Sequence, residues 1–187
     1  MSVWNIKSPD PQTVQRLQKE FNAPEIMARV MANRGISSLT DSKSFFEPSL
    51  ADLHDPFGML NMNTAAENVA YHIEHRKPIM IFGDYDVDGI TGSSMLYLTL
   101  KALGAEASVY IPDRKKEGYG LSKAGIDRAT ERGATLIITC DCGINAVDAV
   151  DYANSKNIEV VITDHHTPDP RLPDAFALVG VARRELD

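Results

Sequence analysis

Residues 78–187 predict an α/β domain, a parallel sheet with helices on both faces, and residues 1–77 predict a helical N-terminal leader. Three observations carry this expectation. From Pro78 onward, short apolar runs alternate with helix-length segments. The connections between them are short, as in βαβ units. The apolar runs are continuous rather than alternating, which suits strands covered on both faces. The expected division is therefore 1–77 for the leader and 78–187 for the sheet-bearing domain.

In the leader, Asp10 is placed to cap a helix carrying Val14, Leu17 and Phe21. Pro24 opens a second helix with Ile26, Met27, Val30 and Met31, which Gly35 ends. Thr40 or Asp41 starts a third that stops before Pro48, and the stretch from Pro48 to Asn61 is the one candidate linker. Asn63 caps a helix reaching about Arg76, with Ala66, Val69, Ala70 and Ile73 on one face. Four strands are expected at 79–82, 107–111, 136–139 and 159–163, and a fifth between Ala175 and Val179. The intervening helices fall at 90–103, from Ser122 to near Gly133, and at 145–156.

Composition narrows the function. The chain has 187 residues, a formal net charge of -7, 43% hydrophobic and 24% charged residues. That is ordinary for a globular protein and argues against a passive, charge-driven nucleic-acid binder. No apolar run approaches the roughly 18 residues of a membrane span, and MSVWNIKSPD has no signal-peptide core. Cys140 and Cys142 are too few for a disulfide framework, so a cytoplasmic setting is the simplest expectation.

Ligands of such sheets bind beyond the carboxyl ends of the strands. The first strand is followed by Gly83-Asp84-Tyr85-Asp86-Val87-Asp88-Gly89, the second by Asp113-Arg114-Lys115-Lys116-Glu117-Gly118-Tyr119-Gly120. The third is followed by Asp141 between two cysteines, the fourth by Asp164-His165-His166. Carboxylates about 5 Å apart repel by roughly 3 kcal/mol at an effective dielectric of 20, and a divalent cation removes that penalty. Mixed carboxylate and imidazole donors suit Mn²⁺ or a similar borderline-hard ion. Taken alone, the acidic triplet reads as a solvated turn with Asp84 or Asp86 capping the next helix, and the histidine pair as ordinary loop residues. The basic run at 114–116 alone reads as solvated surface, and the cysteines as small buried filling. These bland readings leave the convergence of four strand ends unexplained.

Other motifs fit less well. Asp84-x-Asp86-x-Asp88-Gly89 matches the opening of an EF-hand loop, but position twelve is Met95 rather than Glu. Asp86-Val87-Asp88-Gly89 is similar to a dehalogenase-type aspartyl nucleophile, although Gly-Asp-Tyr separates it from the strand. No Walker or dinucleotide-binding glycine motif is present.

The Gly83–Thr91 segment, Asp141-Cys-Gly-Ile and Asp164-His165-His166 together resemble the DHH phosphoesterase superfamily. The Ile111-Pro112-x-Arg114-x-x-Glu117-Gly118-Tyr119-Gly120-Leu121 link resembles its RecJ-type branch of single-strand-specific 5′→3′ DNA exonucleases. So do Arg34-Gly35, Phe45-Phe46-x-Pro48-x-Leu50 and Asp55-Pro56-Phe57 in the leader. The resemblance implies a metal-dependent phosphodiesterase of DNA repair and recombination using Mn²⁺ or Mg²⁺, two ions in a complete site. It implies metal ligands Asp84, Asp86, Asp88, Asp141 and His165, with Asp164 orienting the histidines. His166 would act in catalysis and meet the scissile phosphate, and Arg114 and Tyr119 would lie beside the substrate strand. The implied partners are single-stranded DNA, a single-strand-binding protein and a helicase, with no membrane. The rival expectations are a smaller-substrate phosphodiesterase, acting on short oligonucleotides, cyclic dinucleotides or pyrophosphate, and an inactive scaffold. The family pattern adds a further metal-binding aspartate and a second, DNA-gripping domain beyond the triplet. It also leads one to expect Asn-Pro after the last strand, which the tail to Asp187 lacks. The chain is therefore expected to be an N-terminal portion, and a poor nuclease alone.

Overall fold

The computed structural model describes residues 3 and 5–180. The tail Val181–Asp187, with its missing Asn-Pro, lies outside the described residues. Two compact units divide between His54 and Asp55. That division falls inside the expected 48–61 linker and earlier than residue 77, for a reason visible in the second unit.

The first unit holds three helices, α1 (Pro11–Phe21), α2 (Glu25–Asn33) and α3 (Leu39–Phe46). Asp10 caps α1, its carboxylate accepting from the Thr13 N–H at 2.8 Å. Ser38, not Thr40 or Asp41, caps α3. Asp41 instead turns back to accept from the Ser37 N–H and hydroxyl, which leaves the capping role to the serine between them. Val14, Leu17, Ala28, Met31 and Ile36 form the unit's own core.

The second unit is a five-stranded parallel sheet. Its strands are β1 (Ile79–Gly83), β2 (Ala107–Tyr110), β3 (Leu136–Cys140), β4 (Glu159–Thr163) and β5 (Ala177–Val179), in the order β2-β1-β3-β4-β5. Side chains alternate across the sheet. Met80, Phe82, Ile137, Val160 and Ile162 bury one face under α6 (Lys123–Glu131) and α7 (Val147–Ser155). Ile79, Ile81, Leu136, Ile138 and Val161 bury the other under α4 (Met62–Glu74) and α5 (Val87–Ala102). Helix α4 was expected in the leader. Its Met62, Ala65, Val69 and Ile73 pack on the sheet, so it belongs to the second unit. Asn61 rather than Asn63 stands at its N-cap, in a left-handed conformation (φ 59°). No described helix is long and apolar enough to cross a membrane.

The register brings three acids level at one edge of the sheet. Gly83 lies opposite Cys140, and Cys140 opposite Thr163. The next residue on each of the three strands is an aspartate: Asp84, Asp141 and Asp164. The chain leaves β1 toward β2 on one side and reaches β3 on the other. The crevice between β1 and β3 is thus the switch point of the sheet, where ligands of doubly wound folds bind.

Candidate metal centre

Asp84 follows β1 directly and is 2% exposed. Its N–H donates to the Cys140 carbonyl at 3.0 Å, continuing the β1–β3 ladder by one residue. Its Oδ1 is buried without a hydrogen-bond partner. Such an orphan acceptor costs about 1–3 kcal/mol unless something not in the chain satisfies it. Gly89 explains how it is packed: a Cβ there would overlap the Asp84 backbone, so only glycine lets the first turn of α5 come so close.

Asp86 caps α5. Its Oδ1 accepts from the Asp88 N–H at 3.0 Å and the Gly89 N–H at 3.1 Å. The cap begins α5 three residues before the expected start at residue 90. Both bonds use one oxygen, so capping and metal ligation, which the sequence posed as rivals, are compatible in one side chain.

Asp141 sits at φ 64°, a left-handed conformation uncommon outside glycine. Two hydrogen bonds and one close side-chain contact hold it there. Its N–H donates to the Thr163 carbonyl at 3.0 Å, its carbonyl accepts from the Tyr119 hydroxyl at 3.2 Å, and its Oδ1 lies 2.9 Å from His165 Nε2. Beneath it Thr139 and Thr163 clasp β3 to β4. The Thr163 N–H donates to Thr139 Oγ1, and the Thr163 hydroxyl donates to the Thr139 carbonyl at 2.6 Å. Burial raises the Asp141 carboxyl above the usual carboxylate range, with the charges of Asp86 and Asp88 adding to it.

Asp164 is buried and orients His166, whereas His165, which it was also expected to orient, contacts Asp141 instead. Its Oδ2 accepts from the Ile144 N–H at 3.0 Å, and its Oδ1 accepts from the His166 N–H at 3.0 Å and His166 Nδ1 at 2.7 Å. A carboxylate only accepts, so the His166 proton sits on Nδ1. This bond, with the Asp164 charge, raises the His166 pKa against the opposing effect of burial. The His165 side chain projects outward at 72% exposure.

Ligand atoms of Asp84, Asp86 and Asp141 lie within 4.8 Å of one another, and so do those of Asp141, His165 and His166. Asp141 is common to both groups. The donors are carboxylate oxygens and imidazole nitrogens, and together with the orphan Asp84 oxygen they fit a hard or borderline divalent cation. Asp88 stands outside both groups, exposed on the first turn of α5. Arg114 and Tyr119 do reach the rim. The Arg114 guanidinium lies 5.1 Å from the Tyr85 ring centre, and Tyr85 meets Tyr119 edge to face. The Tyr119 hydroxyl lies 3.0 Å from His166 Nδ1. Sequence reasoning missed the Thr139–Thr163 clasp, because neither threonine carries a chemical signature until the two strands are brought together.

A parallel α/β domain with acids and imidazoles converging at its switch point defines a class, the α/β domains whose potential ligand side chains gather at the strand ends. Within that class the chain belongs to the DHH family: residues 78–186 match the description "DHH family, N-terminal domain". It is 40% identical over 176 residues to the single-stranded-DNA-specific exonuclease RecJ of Bacillus subtilis, covering 94% of this chain and 22% of that protein. It is 34% identical over 166 residues to RecJ of Escherichia coli, covering 88% of this chain and 28% of that one. A crystal structure of exonuclease RecJ bound to manganese superposes with a TM-score of 0.62 at 32% identity, over 69% of this chain and 33% of its own. RecJ from Thermus thermophilus in complex with Mn²⁺ gives 0.65 at 27%, over 93% and 24%. The chain thus spans about a quarter of the length of the curated relatives it matches.

Proposed function

We propose that this chain carries the metal-binding part of a single-strand-specific 5′→3′ DNA exonuclease. The observation that supports it most is the pair of ligand groups sharing Asp141, with a buried, unpartnered Asp84 oxygen among them. Asp84, Asp86, Asp141 and His165 would hold Mn²⁺ or Mg²⁺, and Asp88 would join them if the first turn of α5 adjusts. A bound cation of this kind acts as a Lewis acid on a phosphoryl oxygen and makes water acidic enough to attack at neutral pH.

The protein's own groups do the rest. Asp164 fixes the His166 proton on Nδ1, which leaves Nε2 as the nitrogen that, once protonated, would donate to a phosphate oxygen. Arg114, Tyr85 and Tyr119 form a strip of planar groups along the rim, suited to a sugar or base of a single strand. Burial raises the Cys140 and Cys142 thiols, so neither supplies a thiolate and a covalent route through them is disfavoured. With a net charge of -7, this chain depends on such local contacts rather than a basic groove to meet DNA. A cytoplasmic setting, and action beside a single-strand-binding protein and a helicase in repair and recombination, belong to the same reading.

The test is substrate competition. With Mn²⁺, the native full-length protein should degrade a 5′-phosphorylated single strand and spare blunt duplex. Hydrolysis confined to short oligonucleotides, cyclic dinucleotides or pyrophosphate would move the assignment to the smaller-substrate phosphodiesterases. Mn²⁺ binding without any hydrolysis would move it to a scaffold.

A further inference from the structure

The loop between β2 and α6, residues 111–122, carries Arg114 and Tyr119 to the rim, yet its tip is built from the most pliable residues available. Gly118 and Gly120 adopt φ 82° and 87° on either side of Tyr119. Glycine there permits the turn and gives nothing to hold it, since its unfolded freedom is the largest of any residue. Something else must fix the loop.

One carboxylate ties its three parts together. Glu117 Oε2 accepts from the Tyr110 hydroxyl at 2.7 Å, at the end of β2, and from the Ser122 hydroxyl at 3.0 Å, at the N-cap of α6. Glu117 Oε1 accepts from the Asp113 N–H at 2.9 Å, in the turn between them. The turn is closed again by the Glu117 N–H donating to the Asp113 carbonyl at 2.9 Å. Asp113 Oδ1 accepts from the Lys115 N–H at 2.9 Å. Arg114 therefore sits inside a pinned turn, and Tyr119 sits inside a short arc held at Glu117 and at Ser122.

We propose that Glu117 is a positioning residue, pinning this loop so that Arg114 and Tyr119 are presented to the substrate strand. The assignment rests on the exonuclease reading, and goes beyond it by naming what holds the substrate-facing groups. Burial works against the charge on Glu117. The Asp113 N–H and the Tyr110 and Ser122 hydroxyls outweigh it and hold the carboxyl below its ordinary range, so the group is an ionised acceptor at neutral pH. Tyr110, pushed up to about 12 by burial and then by this bond, keeps the proton it donates. A glutamine offers one acceptor oxygen and turns an N–H₂ toward donors, and the main-chain N–H of Asp113 cannot rotate away.

Glu117→Gln should be compared with its parent, both in the native full-length protein, by three readouts: thermal midpoint, amide hydrogen exchange, and turnover of a labelled single strand with Mn²⁺. The expected result is exchange about tenfold faster or more in residues 112–121, from the loss of a charged hydrogen bond, with other segments unchanged. KM should rise by a similar factor while kcat stays within about twofold, because the chemistry lies elsewhere. Tyr110→Phe, which removes one donor and keeps the carboxylate, should move exchange and KM the same way by less, and it decides the matter if the glutamine variant does not fold. Unchanged loop exchange overturns the pin whether or not the protein is a nuclease. Faster exchange with unchanged KM overturns the positioning role. Absence of turnover in the parent overturns the nuclease reading, while the exchange result still decides the pin.

Discussion

A non-glycine residue in the left-handed region costs on the order of 1 kcal/mol, and Asp141 occupies it next to two other carboxylates. The fold tolerates this where the strand ends meet, which accords with the metal-binding role proposed for Asp141. Asp141→Asn keeps a side chain that tolerates the left-handed region and removes one charge from the cluster. The metal-free variant should have a higher thermal midpoint than the parent at neutral pH. It should also lose most of the further rise that Mn²⁺ gives the parent. Gly89 makes the opposite case. Alanine is a better helix former than glycine by about 1 kcal/mol, yet a Cβ at residue 89 would overlap the Asp84 backbone. Gly89→Ala should therefore destabilise by about 1–3 kcal/mol in urea unfolding. A neutral or stabilising result would mean that the close approach is wrong. Residue types such as Asp84, Asp141 and His165 could be read as candidates because acids and imidazoles after strands are conspicuous. The strained backbone of Asp141, the orphan oxygen of Asp84 and the reason for Gly89 depend on contacts between strands and were not legible.

At the scale of elements, periodicity and caps located most helices because the physics is local. Asp10, Asp86 and Ser122 accept from N–H groups two or three residues ahead, which sequence spacing encodes. Where expectation and structure differ, the contacts an element makes beyond itself decide. Helix α4 belongs with the sheet because its apolar face is buried against strand residues far along the chain, such as Val161, as well as nearby ones. The rim loop was legible only as a motif, since Glu117 acts through partners at Tyr110, Asp113 and Ser122. Its linkage to pH has a definite sign. The folded-state pKa is lowered, so the stability it contributes is present above the unfolded value, near 4.5, and is lost as pH falls through the folded value. The stability difference between the parent and Glu117→Gln should be largest near neutral pH and shrink in acid below about 4. Denaturant unfolding across that range would check it, and a difference constant with pH would place the effect in packing rather than charge.

For the whole second unit, the order of strands matters more than any one side chain. Because β1 and β3 are neighbours at the switch point and their register is level, Asp84 and Asp141 emerge side by side. Because β3 and β4 are level too, Asp164 and the histidines join the same rim. Apolar strand interiors and chemistry-bearing strand ends are thus parts of one arrangement. A cation that binds only the folded rim also stabilises the fold by mass action, by about 2.7 kcal/mol at a hundredfold excess over Kd.

The rim proposed as a divalent-metal centre is tested most directly at Asp86. Its Oδ1 caps α5, while its second oxygen takes no part in that cap. Asparagine is as good an N-cap as aspartate, so Asp86→Asn preserves the helix start and replaces a ligand oxygen with an N–H₂ donor. Calorimetric titration of parent and variant with Mn²⁺, alongside circular dichroism to confirm equal helix content, separates the two roles. The parent should bind Mn²⁺ saturably and the variant should bind it at least about tenfold more weakly, with the fold intact. Equal Mn²⁺ affinity in the two proteins, or no binding by the parent, would contradict the proposal.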